Sequence, residues 1–183
     1  MLTKLNFAGL LALFSIGLAG CGATRPYVAP QSGPTAQLRI VTSMQHTHVD
    51  ADDCSDNRAI VRLAALNTLF RLNDEGRLGM PLPPDKPSRL WTELLIPANP
   101  GYSLGLAGTY QGGLKEYSCF VNLAFSPQAG QQYELEYDFV PFARAYRQED
   151  DACQVRVSRL VGRTDGQVER HPVAFELKDR LAC

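Results

Sequence analysis

From Gln37 onward the chain alternates apolar and polar residues with period two, the spacing that sends side chains to opposite faces of a β-strand. Tyr133-Glu134-Leu135-Glu136-Tyr137-Asp138-Phe139 alternates without a fault, which assigns Tyr137 and Phe139 to a buried face and Glu134 and Glu136 to a wet one. Tyr117 to Phe125 gathers Tyr117, Cys119, Val121, Leu123 and Phe125 on one side, and Gln37 to Ile40 opens an earlier strand. The turn formers at 126–130, SPQAG, suit a hairpin between the two clearest runs. Thr164-Asp165-Gly166 suits a second, joining Gln154–Leu160 to Val168–Leu177. Residues 57–72 fit both periods: a strand near 59–65 is expected, with a short helix as the alternative. The segment 74–88, with Pro81, Pro83, Pro84 and Pro87, is expected to be a loop. Together these elements predict an all-β chain, a small antiparallel β-sandwich of about seven or eight strands with at most one short helix.

Ahead of this pattern stands MLTK, then the apolar run LNFAGLLALFSIGLAG, then Cys21. The run is too short for a membrane span and ends in small residues, as secretory signals do. Leu18-Ala19-Gly20-Cys21 resembles a bacterial lipobox, which implies removal of residues 1–20 and a diacylglycerol on the Cys21 sulfur. Gly22 is not the aspartate that signals inner-membrane retention, so the resemblance implies the outer membrane, with the periplasmic face expected. Residues 21–35, with Pro26, Pro30 and Pro34, read as an extended tether. At about 3.1 Å per residue it would reach roughly 45 Å, leaving 36–183 as one sandwich domain.

Without the leader's Lys4 the chain carries 17 basic and 19 acidic side chains and no basic run, so a nucleic-acid footprint is absent. Anionic surfaces would gain little from such a balance, and anchoring falls to the lipid. With Cys21 assigned to lipid, Cys54, Cys119, Cys153 and Cys183 remain. An even count in an exported chain reads as two disulfides, with three possible connectivities. Pairing about Asp165 sets Cys153 opposite roughly residue 177, within reach of Cys183, which favours Cys153 with Cys183 and, by elimination, Cys54 with Cys119. No C-x-x-C pair occurs, and no cofactor is expected.

Gly101-Tyr102-Ser103-Leu104-Gly105 matches the G-x-S-x-G of a hydrolase elbow, but that device needs a strand turning into a helix on a parallel sheet. LGLAGTYQGG follows instead, poor in helix formers, so Ser103 reads as an ordinary strand residue, no catalytic residue is assigned and the protein is not expected to be an enzyme. In a strand His46, His48 and Asp50 would share a face, a spacing that can grip a divalent metal or simply make a solvated strand end. Tyr102, Tyr110 and Tyr146 are the rings expected to be exposed and available to a glycan, whereas Trp91 is expected to fill core. Arg147 to Cys153, RQEDDAC, lacks calcium-loop spacing and reads as a solvated loop.

The order TELLIPANP, then YSCFVNLAFSPQAGQQYELEYDF, then CQVRVSRL resembles a group of uncharacterised proteobacterial outer-membrane lipoproteins, and LGMP at Leu78–Pro81 is similar too. The resemblance implies an immunoglobulin- or transthyretin-like (PEGA-like) sandwich and brings no activity or site residues. The resulting expectation is a non-enzymatic, lipid-anchored binding or scaffold module for another envelope component, a protein partner engaging an exposed strand edge. The alternative is a binder of glycan, peptidoglycan or a divalent metal.

Overall fold

The computed structural model of the chain describes residues 24–53, 59–68, 76–82, 84, 89–112, 114–140 and 152–181. These residues hold eleven strands and no helix, arranged as two sheets packed face to face. The first sheet runs β1 (Arg25–Pro26), β4 (Ala59–Asn67), β3 (His46–Asp53), β6 (Tyr102–Gly112), β7 (Lys115–Phe125), β11 (Glu176–Lys178). The second runs β10 (Val168–Pro172), β9 (Ala152–Gly162), β8 (Gln132–Val140), β2 (Thr35–Thr42), β5 (Leu90–Pro97). Pairing is antiparallel except for β1 with β4 and β2 with β8. The ambiguous segment is therefore strand β4, where alternation of buried Val61 and Leu63 with half-buried Arg62 outweighs the helical spacing.

Alternation also explains the core. Leu38, Ile40, Tyr133, Leu135, Tyr137 and Val157 point inward from the second sheet and meet Val49, Leu63, Leu104, Leu106 and Leu123 from the first. Each such aliphatic side chain stabilises by about 1.5–3 kcal/mol when fully buried. The interior is also tightly filled: a Cβ at Gly108 would collide with Met44 Sδ, so a larger residue there requires the buried Met44 side chain to move.

Several expectations are corrected. Residues 126–130 do not close a hairpin: β7 pairs with β6 and β11, while β8 pairs with β2 and β9, so the loop arches from one sheet to the other. Both runs have a fully apolar inner face, which facing sheets bury on one another. The Asp165 hairpin forms in the expected register, with Val168 opposite Gly162 and Pro172 opposite Ser158. After Val173 bonds Val157, however, the chain leaves for the first sheet, where Leu177 pairs with Leu123. Residue 177 is thus not opposite Cys153, and the geometry that favoured Cys153 with Cys183 disappears. Cys153 is instead bonded to Cys119, with 5.6 Å between their Cα atoms, which overturns Cys54 with Cys119 as well. The bond links β7 to β9 across the sandwich, because both cysteines occupy inward positions on facing strands. Cys21, Cys54 and Cys183 lie outside the described residues.

The outward carboxylates are not wet. Glu134 is 2 % exposed and Glu136 8 %: Arg39 and Arg170 engage Glu134, with residues 76–82 crossing this outer face as a strap bonded to Arg39, and Arg89 and Arg156 engage Glu136. Arg39, fully buried, holds Glu134 at 2.9 Å and Glu93 at 2.8 Å, and also donates to the carbonyls of Met80, Pro81 and Leu82. Glu93 in turn accepts from the N–H groups of Leu78 and Met80. Trp91 lies on this face, not in the core, with the Arg77 guanidinium 3.6 Å above its ring.

Candidate functional site

The segment read as a free tether is partly docked. Arg25 and Pro26 form β1 on the edge of β4, and Tyr27 N–H donates to Arg62 O at 3.2 Å. The Tyr27 hydroxyl reaches the other sheet, donating to Leu95 O of β5 at 2.6 Å. The arm therefore stitches the sandwich where edge strands β4 and β5 of the two sheets adjoin. Tyrosine was the signal for this: a large apolar ring is out of place in a solvated proline tether.

Between arm and sandwich lies a cleft of about 330 Å³. The arm contributes Arg25, Pro26, Tyr27, Val28 and Pro30. The domain contributes Ala51, Asp52, Val61, Pro97 and Tyr102. The walls are thus prolines, small aliphatics and two tyrosine rings, with few polar groups among them.

Two of those polar groups are anomalous. The Tyr102 hydroxyl and Asp52 Oδ2 are closed to solvent and have no hydrogen-bond partner in the structure. A buried polar atom left unpaired costs about 1–3 kcal/mol, so such atoms are rare in folded proteins and call for an explanation. Burial pushes the Asp52 carboxyl above its ordinary value and the Tyr27 phenol up to about 12. The Tyr102 phenol is raised further, first by burial and then by Tyr27 beside it. Both tyrosines therefore stay neutral at physiological pH; the Tyr102 hydroxyl can donate or accept, whereas Tyr27, whose proton is given to Leu95 O, can only accept. A small ligand with an N–H or O–H donor and an apolar body matches this lining.

The other candidates are dispersed. Tyr102, expected to be exposed, is 7 % exposed and enters the site through its hydroxyl. Tyr110 stacks on Phe139 at 5.8 Å between ring centres, packed against the core, and Tyr146 lies outside the described residues. His46, His48 and Asp50 share β3, but Arg62 of β4 engages the last two. Arg62 Nη1 stands 2.7 Å from His48 Nδ1; guanidinium only donates, so Nδ1 accepts and the His48 proton sits on Nε2. Burial first, then Arg62, holds His48 below its ordinary pKa, opposed by Asp50. A cation already occupies the place a metal would take, and among the described residues no three metal-ligating side chains converge.

Ser103 sits in a shallow depression on the outer face of the first sheet, its Oγ donating to the carbonyl of Gly101 at 3.2 Å. His171 is on β10 of the other sheet, where it faces Glu169. The motif's glycines have structural causes: Gly101 turns the chain at φ 69°, and a Cβ at Gly105 would press on Leu181 of the C-terminal segment. Comparison with family models, curated proteins and solved structures finds no match for this chain.

Proposed function

We propose that the protein is a non-enzymatic binding module of the cell envelope, anchored by lipid at Cys21, whose binding site is the cleft beneath the N-terminal arm. The observation that carries this reading is the pair of unpartnered buried groups, the Tyr102 hydroxyl and Asp52 Oδ2, in a cleft of small-molecule size. A ligand that reached either would answer an atom the fold leaves wanting, and its affinity would come from there. The test is a photo-crosslinking residue in place of Val28, which is 74 % exposed at the mouth of the cleft. An adduct formed in cells and lost in Asp52→Asn with Tyr102→Phe supports the reading; an unchanged adduct pattern refutes it. In parallel, Cys21→Ala should move the protein from the membrane to the soluble fraction.

A partner protein bound by strand addition is the second reading, and one edge favours it. On β5 the outward groups of Trp91, Glu93 and Leu95 are taken by Arg77, Gly76 and Tyr27, and β10 carries Glu169, Arg170, His171 and Pro172. Such edges resist pairing. On β7, β11 covers only Asn122 to Ala124, and among the described residues no strand pairs the outer side of Lys115–Val121. Phe120, 74 % exposed, stands on that stretch.

A further inference from the structure

Independently of the cleft, and resting on the reading of the β7 edge as a place for strand addition, we propose that this edge pairs with the same edge of a second copy of the chain in a two-fold dimer. Both sheets leave room for it at one end. β11 covers β7 only from Asn122 to Ala124, and β10 covers β9 only from Ser158 to Gly162. Among the described residues no strand pairs the outer side of Lys115–Val121 or of Cys153–Arg156. The Cys119–Cys153 bond joins these two open halves, so a strand added to β7 at that end meets no β10 above it. The open stretch presents edge N–H and C=O groups that a strand of any sequence can bond, and side chains decide which strand fits.

The side chains here complement themselves. The β6–β7 hairpin closes at Gly112 opposite Lys115, which leaves Leu114 fully exposed at its tip, and Phe120 is exposed further along the same stretch. In an antiparallel two-fold pair about Tyr117, Tyr117 lies opposite itself, Glu116 opposite Ser118 and Leu114 opposite Phe120, twice over. The two exposed apolar side chains of one copy thus cover those of the other. Neighbouring registers fail. An axis through Ser118 drives Leu114 onto Asn122, whose outer side Lys178 of β11 already takes. An axis through Glu116 sets two carboxylates directly opposite each other, which destabilises a strand pair. The two-fold also suits the proposed anchor. Both arms, docked on β4 across the first sheet from β7, lie at equal height along the axis, so two Cys21 lipids can enter one membrane. Sharing a membrane raises the effective concentration of each copy for the other, and a short pairing then suffices.

The test places a photo-crosslinking residue at Ser118 of the full chain, expressed in cells and anchored in its membrane. An adduct of twice the chain's mass is expected. Phe120→Glu and Leu114→Lys should each lower its yield about tenfold. Both side chains are exposed, so the thermal melts of the purified variants should match wild type. Co-expressing the two variants should restore the adduct, because the new glutamate of one copy then faces the new lysine of the other. A doubled adduct that survives Phe120→Glu, or one that co-expression does not restore, overturns the pairing. An adduct with a different protein, abolished by Phe120→Glu, overturns the second copy and leaves strand addition standing. No adduct from Ser118 overturns both, while the Val28 experiment still decides the cleft.

Discussion

Two regions of this molecule bury polar groups, and they do so in opposite ways. Under the strap, Arg39, Glu93 and Glu134 are all but sealed from water, yet each carboxylate oxygen has a donor, and the Arg39 guanidinium is shared among two carboxylates and three carbonyls. Beneath the arm, Tyr102 and Asp52 are left with atoms that nothing in the fold answers. A satisfied cluster is part of the architecture, because every favourable contact has already been made on folding. An unsatisfied one is where free energy can still be gained by another molecule.

The largest effect should come from breaking the satisfied cluster. Arg39→Met leaves Glu93 and Glu134 buried with fewer partners and frees the strap carbonyls. Loss of one member of a buried ion pair costs about 3–5 kcal/mol. Urea unfolding should report a loss of that size, and amide exchange at Leu78 and Met80 should quicken. A cost below about 1 kcal/mol would mean that the strap is held by something other than these charges, and the comparison would collapse.

Next in size is the covalent tie between the sheets. Replacing Cys119 and Cys153 together by alanine should cost about 2–4 kcal/mol, read as a fall in the unfolding midpoint. Of the three connectivities open to the four cysteines, only one contains Cys119 with Cys153, and it joins Cys54 to Cys183. Peptide mapping of the unreduced, export-derived protein should recover that pair; free thiols at both positions would contradict it.

How far these regions were legible in sequence follows from the range of the forces involved. Alternation is local, so the strands, the buried face of Tyr137 and Phe139 and the Asp165 turn could be read directly from adjacent residues. Which strand pairs with which is not local. The arch at 126–130 and the departure of β11 to the first sheet depend on facing surfaces far apart in the chain, and both disulfide assignments failed on that account. Glu134 and Glu136 alternate as solvated residues would; arginines from distant parts of the chain, Arg39 and Arg170 on the first and Arg89 and Arg156 on the second, decide that they are covered. The cleft was the least legible feature. One of its anomalous groups, Tyr102, comes from a ring expected to be exposed, the other, Asp52, from a residue that no local pattern marked, and its wall from a segment read as a tether, although Tyr27 among the prolines was a visible hint.

A pair of tyrosines sharpens the contrast at about 1 kcal/mol. The Tyr137 hydroxyl donates to Cys119 O at 2.7 Å inside the core, so Tyr137→Phe should destabilise by about 1 kcal/mol. The Tyr102 hydroxyl has no partner to lose, so Tyr102→Phe should be neutral or stabilise by up to about 1 kcal/mol while weakening ligand binding. Thermal or urea unfolding of the two variants gives the signs directly. Equal losses would mean that Tyr102 is satisfied after all, and the cleft would lose its main support.

The smallest expected effect concerns Asp52 and pH. Burial raises its folded pKa above the ordinary 3.8, while the unfolded chain keeps the ordinary value. Between those two values the folded protein therefore binds more protons than the unfolded one, and stability falls as pH rises through that window. The contribution is fully present below 3.8 and gone once the raised folded pKa is passed. Asp52→Asn cannot titrate, so the stability of the variant relative to wild type should increase with pH across the window and then level off. A difference curve flat across the window would mean that the folded carboxyl titrates as the unfolded one does, and the contrast with the carboxylates beneath the strap would lose its Asp52 half.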